Sequence, residues 1–397
     1  MKAGFVSSVL ILLACWYLYE PIPSGFSQPW KLRAVWAGVK VVMDASWIAE
    51  TLGLVPAHEV LRFAEELRTS NAPEKRAKDL VLDGIPVRAY NVKDSGPNGR
   101  YPGLVYYHGG GWALSSTKKY DRLMLGILEQ IDIIIVSVDY RLAGKDGVRY
   151  PEPLDDCLTA TKYFLTHCST LFGVDPERVA IGGDSAGGNL AAAVALKLRD
   201  EHFSPMPKLQ VLIYPVLQAV DFLLPSMVQN KHGPILTRYW LAKFCQLYAT
   251  GSTEHVSQML NNNHTSQSAK TFIYDRYIRH EDLELNYHYK PYKKPRLDFG
   301  NDRLWSRIKD VMMSPYFAPL LAENLADLPE TYLYTPHYDV LRDEGILYSR
   351  RLKAAGVPVS HVEDPTAFHG ICSWRRWFPV EGERCMNGIT DFLNGKI

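Results

Sequence analysis

Arg178-Val-Ala-Ile-Gly-Gly-Asp-Ser-Ala-Gly-Gly-Asn-Leu-Ala-Ala-Ala-Val-Ala-Leu196 joins a short apolar run to an alanine-, leucine- and valine-rich one through Gly183-Asp184-Ser185-Ala186-Gly187. The first run has the length of a strand buried on both faces, and the second has high helix propensity. The serine therefore falls on a strand-to-helix turn. A serine hydroxyl is a poor nucleophile unless a tight turn lifts it clear of the sheet and a base takes its proton. At the first turn of a helix, unpaired backbone N–H groups also favour developing negative charge. Alone the pattern is weak: its chance occurrence in 397 residues has a probability on the order of one in ten. Its partners elsewhere decide its meaning.

Outward from this turn, apolar runs at 103–107, 133–138, 179–182, 209–214, 331–334 and 359–362 read as strands. Helical patterns at 120–130, 153–166, 185–200 and 345–355 separate most of them. Strand alternating with helix predicts a mostly parallel sheet covered on both faces. The alternating segment 79–92, with Asp83-Gly84 at its centre, reads as a hairpin opening the sheet. Residues 30–69 are helical in pattern, with Val35, Val39 and Val42 and then Val60, Phe63 and Leu67 three or four apart.

The alternation fails once, over about 218–313, where only 240–248 reads clearly as an element, a helix, and 287–296 is polar, aromatic and basic. A structureless loop that long inside a compact domain is improbable, so the segment is predicted to be an inserted cap, joined by residues of about 30–70. Its sequon, Asn263-His264-Thr265, lies in polar surroundings expected of an exposed loop tip, which makes Asn263 a candidate glycosylation site.

Residues 3–19 form an uncharged apolar segment, at the lower edge of a bilayer span of roughly 17 residues. It ends in Trp16, Tyr17, Leu18 and Tyr19 where a cleavage site would need small residues, so an uncleaved signal-anchor (1–20) is the preferred reading over a cleaved signal peptide. With Lys2 retained in the cytoplasm, residues 21–397 would be lumenal. The net charge of +1 offers nothing to nucleic acid, while nine Trp and 23 Tyr suit apolar and aromatic ligands. The six cysteines lack metal-site spacing, no cofactor motif is present, and a Cys372–Cys385 disulfide is compatible with an oxidising lumen.

Catalysis by Ser185 requires a base, a group that orients it and donors for an oxyanion. Tyr107-His108-Gly109-Gly110-Gly111-Trp112 ends a predicted strand with three glycines, whose backbone can approach a ligand and point N–H groups at it. Gly109, Gly110 and Gly111, with Ala186 after the nucleophile, are the candidate oxyanion hole. The acid is assigned to Asp339, nearest the end of the strand at 331–334, while Asp343 and Glu344 suit the first turn of the next helix as caps. The base is assigned to His369 in Ala367-Phe-His-Gly370; His361 falls inside an alternating run and reads as a strand residue. The chain order Ser, Asp, His is that of one known class of parallel-sheet hydrolases.

With these pieces in place, the chain resembles the hormone-sensitive-lipase-like branch of the α/β hydrolases and, within it, the arylacetamide deacetylase family. The resemblance rests on His108-Gly-Gly-Gly-Trp112, Asp139-Tyr-Arg-Leu-Ala143, Gly183-Asp-Ser-Ala-Gly-Gly-Asn189, Tyr214-Pro215, Ser314-Pro-Tyr-Phe-Ala-Pro319, Tyr338-Asp-Val-Leu-Arg-Asp343 and Phe368-His-Gly370. It implies an α/β-hydrolase fold with a mostly parallel eight-stranded sheet, helices on both faces, a helical cap and an N-terminal anchor. It further implies a serine esterase or amidase of the endoplasmic reticulum membrane, single-pass type II, acting on acyl esters, arylacetamides or neutral lipids. Two places differ from relatives that carry an apparent disulfide there: Ala113 follows the glycine-tryptophan motif and Pro336 precedes the acid. A non-catalytic binder on the same scaffold is the alternative reading. Such a binder usually lacks a nucleophile or base, and this chain has both.

Overall fold

A computed structural model of the chain describes residues 26–67, 76–92, 101–283 and 296–397, together with Tyr17, Tyr19 and Ile22. The apolar segment 3–19 thus lies outside the described residues apart from Tyr17 and Tyr19, as do the loop 94–100 and all of 287–296 except Arg296. Among the described residues no helix is long and apolar enough to cross a membrane.

Two helices open the described chain, α1 (Pro29–Thr51) and α2 (Ala57–Glu66). They are followed by the hairpin β1 (Ala77–Leu82) and β2 (Ile85–Tyr90), then β3 (Tyr101–Tyr107), α3 (Asp121–Leu128) and β4 (Ile134–Val138). Next come α4 (Glu152–Phe172), β5 (Val174–Asp184), α5 (Ala186–Asp200) and β6 (Leu209–Ile213). Between β6 and β7 (Glu330–Tyr338) the described chain forms no strand. It forms α6 (Pro225–Gln229), α7 (Arg238–Thr250), α8 (Val256–Leu260), α9 (Gln267–Arg276) and α10 (Asp302–Met312). The chain closes with α11 (Arg342–Ala354), β8 (Val359–Phe368) and α12 (Pro379–Asn394).

The eight strands form one sheet in the order β1-β2-β4-β3-β5-β6-β7-β8. The hairpin is antiparallel, β2 is antiparallel to β4, and every later pairing is parallel. Period-two alternation sorts the sheet residues between two cores. Val105, Tyr107, Val136 and Ile181 face the core containing α4 and α5, whereas Leu104, Tyr106, Ile135 and Ala180 face the one containing α3 and α12. Parallel strands all end on the same side, so the turns after β3, β5, β7 and β8 converge at one rim.

Three expectations need correction. β7 and β8 each run beyond the apolar stretch that announces them, β7 as far as Tyr338 and β8 as far as Phe368. β8 is an edge strand, where Pro365 is tolerated, and its buried Asp364 is held by the Arg384 guanidinium at 2.8 Å and the Tyr334 hydroxyl at 2.7 Å. The second correction concerns Asn261–Gln267, which is not an exposed loop tip. Asn263 is half-buried, and Asn262, His264, Thr265 and Ser266 are buried. Asn262 accepts from Phe222 N–H at 2.8 Å and donates to the buried Asp221 at 2.6 Å, so this polar stretch is internal wiring of the insertion. Third, Asp343 and Glu344 do not act as local caps. Asp343 accepts from Ser226 N–H at 2.6 Å and pairs with Arg342 at 2.8 Å, and Glu344 accepts from Leu217 N–H at 2.8 Å and Gln218 at 2.9 Å.

Buried neutral histidines make this fold acid-sensitive. His264 donates from Nε2 to Ala219 O at 3.0 Å, and burial pushes its pKa down to about 4; burial does the same to His361 in β8. In the unfolded chain both rings would protonate near pH 6.5. The unfolded state therefore binds more protons between those values, and stability is full above about pH 6.5 and lost as pH falls toward about 4. Each ring accounts for roughly 3 kcal/mol over that whole window. Thermal unfolding at pH 5 should occur at least several degrees below that at pH 7.5, with His264→Gln narrowing the gap; a melting temperature independent of pH would refute the argument.

Candidate active site

β5 ends at Asp184 and α5 begins at Ala186, leaving Ser185 alone on the turn at φ 56° and ψ −120°. That backbone costs a non-glycine residue on the order of 1–3 kcal/mol and persists only where its surroundings enforce it. Gly183 and Gly187 supply the enforcement: a Cβ on Gly187 would sit 2.0 Å from Tyr107 O, and one on Gly183 would sit 2.4 Å from the Gly187 backbone. Ser185 N–H donates to Ile213 O at 2.9 Å, tying the turn to β6.

The rim brings three separated residues together. His369, the residue after β8, places Nε2 3.0 Å from Ser185 Oγ and Nδ1 2.8 Å from Asp339 Oδ2, and Asp339 directly follows β7. The other carboxylate oxygen accepts from Leu341 N–H at 3.0 Å, and Asp339 O accepts from Asn230 at 3.0 Å. Tyr214 lays its ring 4.7 Å from the imidazole. Exposure rises from 1% at Asp339 through 6% at His369 to 8% at Ser185, so only the serine end approaches solvent, and even it is nearly enclosed. His361, the other histidine weighed from sequence, stays in β8 and contacts Thr335 at 2.9 Å.

The glycine loop requires one correction. Gly109 N–H is engaged by Asp184 Oδ1 at 3.0 Å and by the Tyr120 hydroxyl oxygen at 2.9 Å, so it is not free to meet an oxyanion. No hydrogen bond to another described residue occupies the N–H of Gly110, Gly111 or Ala186. Gly110 and Gly111 take φ of 115° and 60°, values that L side chains rarely adopt. A Cβ on Gly111 would lie 2.5 Å from the Phe244 ring, so α7 packs directly on the loop.

Several positioning residues escaped the sequence reading. Asp184 accepts from Tyr106 at 2.9 Å and from Tyr120 at 2.8 Å as well as from Gly109, linking the nucleophile turn to the glycine loop. Burial pushes its carboxyl above the ordinary range. Arg62 of α2 donates to Ala113 O at 2.7 Å and Ala143 O at 2.6 Å, and His108 stacks on Tyr140 at 4.3 Å. Asp184 lies inside the motif already singled out and was in principle findable; Tyr120 and Arg62 carry no local pattern. Cys372 and Cys385 are disulfide-bonded, with Cα atoms 5.8 Å apart.

A cavity of about 300 Å³ lies between α1 and residues 231–240, walled by Trp36, Met43, Trp47, Ile235 and Trp240. Ile235 Cγ2 lies 3.7 Å from where a Cβ on Gly370 would be, so one wall of this cavity packs near the residue that follows His369. A larger open depression of about 770 Å³ between α9 and α10 includes none of the three rim residues.

Residues 104–277 and 279–373 match a family model described as alpha/beta hydrolase fold. The chain is 39% identical to neutral cholesterol ester hydrolase 1 of Bos taurus over 98% of each protein. It is 35% identical to arylacetamide deacetylase of Bos taurus over the full length of both. Among solved structures, an esterase of Pyrobaculum calidifontis is 28% identical and superposes with a TM-score of 0.64 over 88% of this chain and 97% of that one.

Proposed function

The chain belongs to the family of arylacetamide deacetylase and neutral cholesterol ester hydrolase, in the hormone-sensitive-lipase-like branch of the α/β hydrolases, and we propose that Ser185, His369 and Asp339 are the triad of this hydrolase. The observation that carries the reading is the unbroken relay from Ser185 Oγ through His369 to Asp339, at 3.0 and 2.8 Å. Its oxyanion donors are the N–H groups of Gly110, Gly111 and Ala186. The Ser185 hydroxyl attacks the acyl carbonyl while His369 Nε2 takes its proton, and the carbonyl oxygen gains its charge against those N–H groups. His369 then returns the proton to the departing alcohol or amine, leaving an acyl-enzyme. Water, deprotonated by the same nitrogen, releases the acid. Asp339 holds Nδ1–H and stabilises the imidazolium in both steps.

The substrates are hydrophobic carboxylic esters or arylacetamide-type amides, neutral lipids among them. The tryptophan-rich cavity between α1 and residues 231–240, close to Gly370, and the activities named for the two relatives support this. Residues of about 30–70 and 218–313 act as the cap: they wall this cavity, and Phe244 seats on the oxyanion loop. The protein is held in the endoplasmic reticulum membrane by its segment 1–20, with residues 21–397 in the lumen. The apolar sequence 3–19, the Cys372–Cys385 disulfide and the Asn263 sequon all fit that side.

Full-length enzyme in microsomes should hydrolyse nitrophenyl esters across a range of acyl lengths, with the longer acyl chains preferred. It should resist carbonate extraction and external protease. Absence of turnover above that of phosphonate-inactivated protein would defeat the catalytic reading, and protease accessibility in sealed microsomes would defeat the lumenal one.

A further inference from the structure

The outer side of the second half of α1 and of the turn that follows it is apolar, and on α2 the exposed Phe63 stands between the exposed Glu59 and Glu66. Val41 and Ile48 stand exposed on α1 and Leu52 directly after it, at helical spacing, with Ala45 between Val41 and Ile48. Leu54 and Val55 in the following turn, Phe63 on α2 and Leu67 just after it are exposed as well. Exposure reaches 66% at Leu52, 70% at Leu54, 62% at Phe63 and 69% at Leu67. Each such side chain left in water forgoes roughly 1.5–3 kcal/mol of burial, and a contiguous patch of them marks an interaction surface.

From 45 to 57 the sequence holds a single ionisable residue, Glu50, and it turns inward. One carboxylate oxygen accepts from Ala57 N–H at 3.3 Å and the other pairs with the buried Lys243 ammonium. The outward face of this stretch therefore bears no charge. Tyr17 lies against the same helix. The Tyr17 hydroxyl donates to Asp44, and the Lys40 ammonium lies 4.6 Å from the Tyr17 ring centroid. A third side of α1, carrying Trp36, Met43 and Trp47, walls the cavity whose far side holds Ile235, close to Gly370.

We propose that the α1–α2 outer face rests in a lipid surface, with Leu52, Leu54, Phe63 and Leu67 among the acyl chains just below the headgroups. A strip of aliphatic and aromatic side chains, uncharged from 45 to 57 and flanked on α2 by Glu59 and Glu66 at headgroup level, fits an interfacial helix pair. α1 then divides bilayer from cavity, and an apolar ester passes along it into the site without crossing water. This last step rests on the esterase reading; the docking surface does not.

The test uses the full-length protein reconstituted in phosphatidylcholine vesicles, with an environment-sensitive fluorophore on Leu54→Cys, Phe63→Cys or, at the opposite end of β5, Glu177→Cys. The probes at 54 and 63 should shift to the blue and lose most of their intensity to a lipid-attached doxyl quencher, and the probe at 177 should respond only to aqueous iodide. The double variant Leu54→Glu/Phe63→Glu should hydrolyse a long-chain ester embedded in the vesicles about tenfold more slowly, the effect of losing roughly one buried apolar side chain, while its turnover of a soluble acetate ester is unchanged. Iodide quenching at 54 and 63 would overturn the proposal. So would shielding from both quenchers, with or without energy transfer between copies, because another part of the protein or a second copy would then cover the face. Wild-type protein inactive on every ester would strike the catalytic reading and leave the quenching result standing.

Discussion

Ser185→Ala is expected to leave the fold intact and to lower kcat/KM for ester hydrolysis by roughly five to six orders of magnitude, the loss typical when the nucleophile of a cooperating triad is removed. The hydroxyl's hydrogen-bond partner is His369, and the turn itself is held by backbone bonds to Ile213 and by the close approach of Gly187 to Tyr107, none of which involves Oγ. Alanine keeps the Cβ that this φ already accommodates, so the melting temperature should change little. A residual rate is expected from the proposed Gly110, Gly111 and Ala186 donors and from binding, which stay in place. A fluorophosphonate should label the wild-type protein covalently and the variant not at all. Comparable labelling of both would assign the nucleophile to another residue and remove the basis of the proposed mechanism.

Asp339→Asn should reduce turnover by about four orders of magnitude with little loss of stability, through the tautomer of its neighbour. In the native site Asp339 Oδ1 accepts from Leu341 N–H, and Oδ2 faces His369 Nδ1. An asparagine that keeps its oxygen on Leu341 N–H turns its amide toward Nδ1, which must then accept. The ring proton moves to Nε2, where it points at Ser185 and cannot take the hydroxyl proton. Asp343→Asn offers the informative contrast. Its carboxylate serves Ser226 N–H and Arg342, so its loss should lower the melting temperature while the folded fraction keeps activity within a few-fold of wild type. Paired measurement of kcat/KM and thermal stability separates the two residues, and the reverse ranking would exchange their roles.

The gain from seeing the fold is clearest in the glycine loop. In sequence, Gly109, Gly110 and Gly111 are equivalent, since each lacks a Cβ and follows a strand. Asp184, 75 positions away, and Tyr120 distinguish them by taking the first N–H and leaving the others. The exposure around Asn263 was misjudged for a similar reason. Polarity around Asn263 reads locally as exposure, but Asn262 satisfies Phe222 and Asp221, which precede it by about 40 residues.

The amino-acid sequence by itself determined the order of strands and helices, the strand–serine–helix turn, the glycine loop after a strand, and the positions of Asp339 and His369 just past two strand ends, where the structure brings them within hydrogen-bond reach of one another. All of these depend on spacing along the chain: hydrophobic period, Gly and Ala placement, and residues at the ends of apolar runs in a parallel sheet. Only the tertiary structure decided how far β7 and β8 extend, which backbone N–H groups stay free for an oxyanion, that Glu50 turns inward to Lys243, and that the outer side of the second half of α1 and of the turn that follows it is left apolar. Each of these is settled by hydrogen bonding or burial between groups distant in sequence. A polar atom's partner is chosen by the surroundings that desolvate it, and those exist only once the layers have packed.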